Sequence, residues 1–136
     1  MHETIVLNGK NLATALNEQT KEKIEQFALR TLKKPRLDVI LVGDNKASHT
    51  YVANKKNACE RVGINVCIHN FSSNIDQEII LSLVDELNRD DQVHGILLQL
   101  PLPQGWDKKV LIERILMIET HFYSCEQLLL NIFKLL

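Results

Sequence analysis

The sequence lacks several features that mark whole classes of protein. No uncharged apolar run approaches the roughly 18 residues of a membrane-spanning helix, so no transmembrane segment is predicted. Acidic and basic residues are mixed and the formal net charge is −1, which argues against nucleic acid as the main partner. The first residues have neither the basic and apolar regions of a secretory signal nor an arginine-rich presequence. We therefore expect a cytoplasmic protein with neither membrane nor nucleic acid as partner.

Cysteine is scarce and irregularly placed. The chain has three cysteines, an odd and scattered set that favours a reduced compartment over a disulfide framework. Cys67 and His69 alternate onto one face of a predicted strand, and His121 and Cys125 share a helical face if the tail is helical. Neither pair has the Cys-x-x-Cys spacing of structural zinc sites. We expect buried, unpaired core residues and no metal, with a zinc site as the minor alternative.

The chain does contain a regular alternation of apolar runs and amphipathic stretches. Its 136 residues suffice for one domain with a substantial core. Apolar runs at residues 37–42, 64–69 and 93–100 predict strands, and the first is continuously apolar enough to be buried on both faces. Helix and strand alternating in this way give a parallel sheet with right-handed crossovers. The sequence predicts an α/β fold, a small parallel sheet with helices on both faces.

Polar residues and glycines mark the predicted helix ends. Asn8 and Gly9 form a turn or cap before the first helix, and Gly63 is a C-cap of the second. Asn74, with Gln77 three residues later, resembles a capping box for the third helix. These signals place the helices between the predicted strands.

Lys55 is the unusual residue of the second predicted helix. The preceding strand ends at Gly43, the usual position of a site in an α/β protein. Lys55 shares a helical face with Tyr51 and has no acidic neighbour, whereas Lys56 has Glu60 four residues on. A lysine among apolar and aromatic neighbours is partly desolvated and suits proton transfer or charge stabilisation. From the pattern alone, a snorkelling lysine with its ammonium in water is the favoured interpretation.

Gln99 ends the third predicted strand. Residues at the carboxyl ends of neighbouring parallel strands meet in one crevice, so Gln99 is expected to face the start of the helix that carries Lys55. A buried glutamine there needs hydrogen-bond partners, and a bond to backbone alone is an equally good interpretation. Pro101 and Pro103 follow, and neither has an N–H donor, so this segment is expected to form a rigid wall.

Three pieces of the sequence resemble one known family. They are Val-Gly-Asp-Asn-Lys-Ala-Ser at residues 42–48, Tyr-Val-Ala-Asn-Lys with following Ala-Cys and Val-Gly at residues 51–63, and Gly-Ile-Leu-Leu-Gln-Leu-Pro-Leu-Pro at residues 95–103. Their order and separation are similar to the N-terminal catalytic domain of bifunctional methylenetetrahydrofolate dehydrogenase/cyclohydrolases, the FolD family. The resemblance covers residues 5–115.

The resemblance implies a folate substrate and a role for each matching residue. It implies that Lys55 is the central catalytic group, that Tyr51 lies against the folate ring system, and that Gln99 bonds the lysine and tunes its proton affinity. The substrate-binding residues that it implies are Tyr51, Val52, Ala53, Asn54, Lys55, Leu98, Gln99, Leu100 and Pro101. The family hydrolyses methenyltetrahydrofolate and also passes a hydride between the methylene carbon and NADP.

The chain departs from the family in two respects. It contains no Gly-x-Gly-x-x-Gly loop, so no NADP is expected to bind this chain, although the family uses it. The family continues after residue 115 with an Asp-Val-Asp-Gly-Phe type of stretch whose aspartate contacts the pterin, whereas no aspartate follows Asp107 here. We expect a folate-binding catalytic domain at residues 1–115 and a divergent apolar tail at residues 116–136. A frameshift with an early stop, or a repacked helix, would explain that tail.

Three functions stay open at this point. The chain is a partly competent enzyme that keeps cyclohydrolase chemistry, a non-catalytic folate-binding or dimerisation module, or an inactive product of a frameshifted gene. The apolar residues 128–136 predict a homodimer or poor solubility.

Overall fold

The computed structural model describes residues 8–116, in which helices and strands alternate as predicted. The elements are α1 (Gly9–Thr31), β1 (Arg36–Val42), α2 (Lys46–Val62), β2 (Asn65–Phe71), α3 (Gln77–Arg89), β3 (Gly95–Leu98) and α4 (Lys108–Leu116). Among these residues, no helix is both long and apolar enough to cross a membrane. The apolar tail at residues 128–136, with the pair His121 and Cys125, lies outside the described residues.

The three strands form one parallel sheet in the order β2-β1-β3. β1 pairs with β2 along its whole length, and with β3 from Leu37 opposite Gly95 to Ile40 opposite Leu98. The carboxyl ends of β1 and β3 are therefore adjacent, which confirms the predicted pairing. β3 is shorter than predicted because Val93 belongs to a turn in which its N–H donates to the Asp90 carbonyl at 3.0 Å.

Helices cover both faces of the sheet, as predicted, and each face has its own apolar core. One core joins α1 and α2 to the sheet through Ile24, Leu37, Val39, Leu41, Val52, Cys59, Val62 and Ile64. The other joins α3 and α4 to it through Ile40, Val42, Ile80, Leu81, Val84, Leu87, Val93, Ile96 and Leu111. The central strand β1 contributes to both cores, which explains its nearly continuous apolar sequence. Asp38 is the exception, a carboxylate with 0% exposure in the middle of the sheet.

Two of the three predicted caps are confirmed and one is wrong. The Asn8 side chain accepts hydrogen bonds at the start of α1, and Gly63 ends α2 with a φ of 96°. The predicted box at Asn74 does not form, because Asp76 is the N-cap of α3 and accepts from the Glu78 N–H at 3.2 Å. The Gln77 side chain instead accepts from the backbone N–H of Asp107 at 2.9 Å and ties α3 to the start of α4.

Candidate active site

The turn between β1 and α2 sets the direction of the helix that carries Lys55. Gly43 has a φ of 92°, and its N–H donates to the Phe71 carbonyl at 2.8 Å. The positive φ explains the glycine, since other residues adopt it at a steric cost. The Asn45 side chain then caps α2 by accepting from the Ser48 N–H at 3.0 Å. These bonds start the helix directly beyond the carboxyl end of the central strand.

Lys55, Tyr51 and Gln99 meet at that end of the sheet. The Lys55 Nζ donates to the Gln99 Oε1 at 3.3 Å and lies 5.2 Å from the centroid of the Tyr51 ring. The second distance is typical of a cation–π contact. Lys55 is half-buried and Tyr51 is 56% exposed, so one ring face remains available for a ligand. Gln99 meets α2, as expected, but its side chain contacts Lys55 in the middle of the helix and not at its start.

Gln99 is oriented by a second hydrogen bond. Its Nε2 donates to the Leu100 carbonyl at 2.8 Å, which leaves Oε1 to accept from Lys55. The same carbonyl accepts from the Oγ of Ser48, a residue with 6% exposure, at 3.4 Å. Sequence reasoning missed this role of Ser48. The available signal was the spacing of Ser48. It lies three residues before Tyr51 and seven before Lys55, and residues at these spacings share one face of a helix.

Lys55 and Lys56 have different surroundings despite being adjacent. Lys56 lies 3.9 Å from the Glu60 carboxylate, and both side chains are more than 40% exposed. Within residues 8–116, Lys55 forms no salt bridge. Its ammonium instead has an amide oxygen and an aromatic ring as partners. These contacts favour the catalytic interpretation of Lys55, and the snorkelling interpretation stays untested by them.

Cys59 lies one helical turn after Lys55 but does not join the site. Burial, with a smaller contribution from the nearby Glu60 carboxylate, raises the pKa of the Cys59 thiol to about 11. The thiol is protonated at neutral pH, and a thiol is a poor nucleophile compared with a thiolate. Cys59 is a core residue of α2.

Two of the sequence-predicted substrate-binding residues lie in the cores. Val52 has 2% exposure and packs between α2 and the sheet. Leu98 packs against the core on the opposite face, below α3 and α4. Their side chains therefore support the site from within the fold and do not line its outer surface.

The remaining predicted substrate-binding residues lie on the surface. Ala53, Asn54 and Pro101 are exposed, and Leu100 is 43% exposed. The peptide bond between Leu100 and Pro101 is cis. Leu100 and Pro101 directly follow Gln99, so they form the rim of the Lys55 site.

Two surface depressions lie along other faces of α2. One, of about 720 Å³, is lined by Asn54, Asn57, Glu60 and Arg61. The other, of about 350 Å³, lies between α2 and the edge strand β2. Neither is lined by Tyr51, Lys55 or Gln99. Among the described residues, the Lys55 site is therefore identified by its residue types and their contacts and not by a surface depression.

A family model matches most of the chain. The model described as tetrahydrofolate dehydrogenase/cyclohydrolase, catalytic domain, matches residues 7–118. The chain belongs to this family. The bifunctional FolD protein of Campylobacter jejuni is 46% identical over 111 residues, which are 82% of this chain and 39% of that protein. The FolD protein of an Exiguobacterium strain is 40% identical over 111 residues, again 82% of this chain and 40% of that protein.

Solved structures of FolD proteins and their relatives have the same fold. The chain is similar to the C. jejuni bifunctional enzyme with a TM-score of 0.76, 46% identity and coverage of 82% of this chain and 39% of that one. The chain is also similar to a 5,10-methylenetetrahydrofolate dehydrogenase from the silkworm Bombyx mori, with a TM-score of 0.77 and 39% identity. The match covers 83% of this chain and 39% of that one. For the Trypanosoma brucei dehydrogenase-cyclohydrolase, whose structure is complexed with NADP and an inhibitor, the TM-score is 0.75 and the identity 31%. The match covers 85% of this chain and 39% of that one. The chain spans about 40% of the length of the FolD relatives it matches.

The described residues lack the glycine-rich loop that holds the phosphates of a dinucleotide. Residues 8–116 contain no Gly-x-Gly-x-x-Gly sequence. The glycine turn after β1 continues with Asp44, and the first turn of α2 already has the Asn45 side chain as its cap. We therefore assign no step involving NADP to these residues.

Proposed function

We propose that residues 1–115 are a folate-binding catalytic domain that hydrolyses methenyltetrahydrofolate, with Lys55 as its catalytic group. The observation that carries this proposal is the contact between Lys55 and Gln99 beside the Tyr51 ring. It brings an ammonium that has no carboxylate partner among residues 8–116 to a partly exposed aromatic ring at the carboxyl end of a parallel sheet. Folate provides a flat ring system for such a face.

Hydrolysis of the methenyl bridge includes two proton transfers that one lysine can perform, one from the attacking water and one to the leaving nitrogen. Water attacks the cationic methenyl carbon, a C–O bond forms, and the Lys55 amine accepts the proton that the water releases. The Lys55 ammonium then donates that proton to a ring-system nitrogen as the bond from this nitrogen to the same carbon breaks, and the hydroxyl proton is released to solvent as the C=O double bond forms. The product is formyltetrahydrofolate, and the lysine returns to its starting form. General acid–base groups typically contribute ~10²–10⁴-fold to such a rate.

The neighbours of Lys55 have positioning and binding roles in this proposal. Gln99 holds the Lys55 Nζ, and Ser48 holds the Leu100 carbonyl to which Gln99 is also bonded. Tyr51 stacks on the folate and tolerates its positive charge. Leu100 and Pro101 contact the substrate at the rim, while Val52 and Leu98 support the site from the cores. Ala53 and Asn54 line the depressions on other faces of α2, so they contact only a part of the substrate that extends beyond the Lys55 site.

Two further properties belong to the same proposal. We propose a cytoplasmic location, which the scattered free cysteines support. We also propose a homodimer, supported by large apolar side chains on the surface of α1, where Leu12 is 62% and Leu29 is 79% exposed. Residues 116–136 form a separate, divergent segment in this proposal. Light scattering that shows only a monomer at high concentration would contradict the dimer.

A folate-binding module without catalysis is the second candidate. The Lys55 site lies outside both depressions along α2, and Tyr51 is 56% exposed, so water is not excluded from bound folate by the described residues. Such a site can bind a ring system without accelerating its hydrolysis.

One experiment separates the two candidates. Folate binding is measured by calorimetry, and hydrolysis is followed by the decay of methenyl absorbance against the rate without protein. Binding with faster decay supports the enzyme, and binding without faster decay supports the module. The absence of both would contradict the folate proposal itself.

A further inference from the structure

A second polar cluster lies within the sheet, away from Lys55. The Asp38 carboxylate has 0% exposure, and its Oδ1 is 2.8 Å from the Arg36 Nη2 and 2.7 Å from the His69 Nε2. Its other oxygen, Oδ2, is buried and has no hydrogen-bond partner among residues 8–116. A buried carboxylate oxygen without a partner is costly, and such an atom points to a missing cation or donor.

The strand register brings a thiol and an imidazole to this carboxylate. Asp38 on β1 is directly paired with Cys67 on β2. His69 lies two residues further along β2 and therefore on the same face of the sheet. One ligand atom from each of the three side chains lies within 4.8 Å of the other two. The His69 side chain is 22% exposed, so the cluster can be reached from solvent at the edge strand.

We propose that Asp38, Cys67 and His69 bind a divalent metal ion of the zinc type. Zinc accepts thiolate sulfur, imidazole nitrogen and carboxylate oxygen, commonly with tetrahedral geometry. Bonds of roughly 2.0–2.3 Å place such ligands about 3–4 Å apart. The His69 Nε2 would give up its 2.7 Å contact with the Asp38 Oδ1, and separations of up to 4.8 Å would shorten, both by small side-chain rotations. Water from the exposed side supplies the fourth ligand. This proposal replaces the expectation of unpaired core residues, and it requires neither His121 nor Cys125.

The ion would resolve the electrostatics of the cluster. It gives the buried Asp38 Oδ2 the partner that residues 8–116 do not supply, while Arg36 remains on Oδ1 and orients the carboxylate. Binding releases the thiol proton of Cys67 and any proton on the coordinating nitrogen of His69 to solvent, with no change of oxidation state.

The proposed site is structural and separate from the folate site. Asp38 alternates with Ile40 on β1, so it faces the side of the sheet that α3 and α4 cover. Lys55 lies on α2, which packs against the opposite face. A metal ion at Asp38 would join the edge strand β2 to the central strand β1 by side-chain bonds, in addition to the backbone ladder.

The test uses the full chain of 136 residues under reducing conditions. Titration with Co²⁺ should produce a thiolate-to-cobalt charge-transfer band, and added Zn²⁺ should abolish this band by displacing the cobalt. Calorimetry should give a stoichiometry of one zinc per chain. Cys67→Ser should remove the charge-transfer band. His69→Gln should weaken zinc binding by at least ~10–100-fold. Loss of a group that only supports a metal ligand already has an effect of this size, and His69 is itself a proposed ligand. Cys125→Ser is the matched control and should leave band and affinity unchanged.

Folding of each variant is checked by circular dichroism, and Cys67→Ser carries the test because serine nearly matches cysteine in size. The midpoint of thermal unfolding should rise with added Zn²⁺ in the parent chain and not in Cys67→Ser. A parent chain without the cobalt band would overturn the proposal and leave an ion network of Arg36, Asp38 and His69. A band that survives Cys67→Ser and disappears in Cys125→Ser would also overturn it.

Discussion

The Lys55 ammonium lies 3.3 Å from the Gln99 amide oxygen and joins two segments that are 44 residues apart in the chain. Lys55 belongs to the helix that follows the central strand, and Gln99 directly follows the neighbouring strand. Parallel pairing of those strands places the start of the helix and Gln99 at the same end of the sheet, where the carboxyl ends of β1 and β3 lie side by side. The contact therefore depends on the topology of the whole domain.

Lys55→Ala should abolish hydrolysis of methenyltetrahydrofolate, whereas Lys56→Ala should retain it. We expect a loss of ~10²–10⁴-fold for the first variant because it removes the acid–base group. Lys56 pairs with Glu60 at the surface, and such pairs contribute little. The measurement is the decay of methenyl absorbance. Equal losses in the two variants would contradict the catalytic role of Lys55.

Gln99→Leu should lower kcat more than it changes KM. The substitution keeps the volume of the side chain and removes the acceptor of Lys55, and a hydrogen bond to a charged group is worth about 1.5–3 kcal/mol, or roughly 10- to 100-fold in rate. Gln92→Leu is the control, since Gln92 is exposed and, within the described part of the chain, its side chain bonds only to neighbouring Asp91. A change confined to KM would assign Gln99 to substrate binding instead of lysine positioning.

Gly63→Ala should destabilise the fold. Gly63 has a φ of 96°, and an added Cβ would lie 3.3 Å from the Ile24 Cγ2. The left-handed conformation alone costs a residue with a side chain about 1–2 kcal/mol. Gly9→Ala is the matched control, because Gly9 begins α1 and a Cβ there meets nothing within 4 Å. Urea unfolding should show a lower free energy for the first variant and an equal or higher one for the control.

Stability should fall as the pH is lowered through about 6.5 because of His94. Burial lowers the pKa of His94 below its ordinary value of 6.5. The unfolded chain therefore binds a proton at a higher pH than the folded chain, and acid favours unfolding. The folded state uses the uncharged ring, since Nδ1 accepts from the Arg36 N–H at 3.2 Å.

The check for His94 is urea unfolding at several pH values. His94→Asn keeps an acceptor for the Arg36 N–H and removes the titrating ring, so the decline in the free energy of unfolding should become smaller. His49→Asn at an exposed position is the control and should keep the decline of the parent chain. A decline that is the same in His94→Asn as in the parent chain would show that other groups cause it.

The sequence alone determined the order of elements and the residue type at the candidate site. Apolar periodicity and helix-ending glycines act within a few residues, so the alternation of helices and strands and the Gly63 cap could be predicted. The absence of an acidic neighbour near Lys55 is equally local. The third helix shows the limit of such signals, because Asn74 and Asp76 both suit a cap and the structure uses Asp76.

The tertiary structure decided which atoms meet. Ser48 acts on Gln99 through the Leu100 carbonyl because β3 ends beside the first turn of α2. Asp38 looks like an interruption of an apolar strand in the sequence, and its partners come from the register that places β2 beside β1. Contacts between segments far apart in the chain follow from strand order and register, which no local pattern of residues contains.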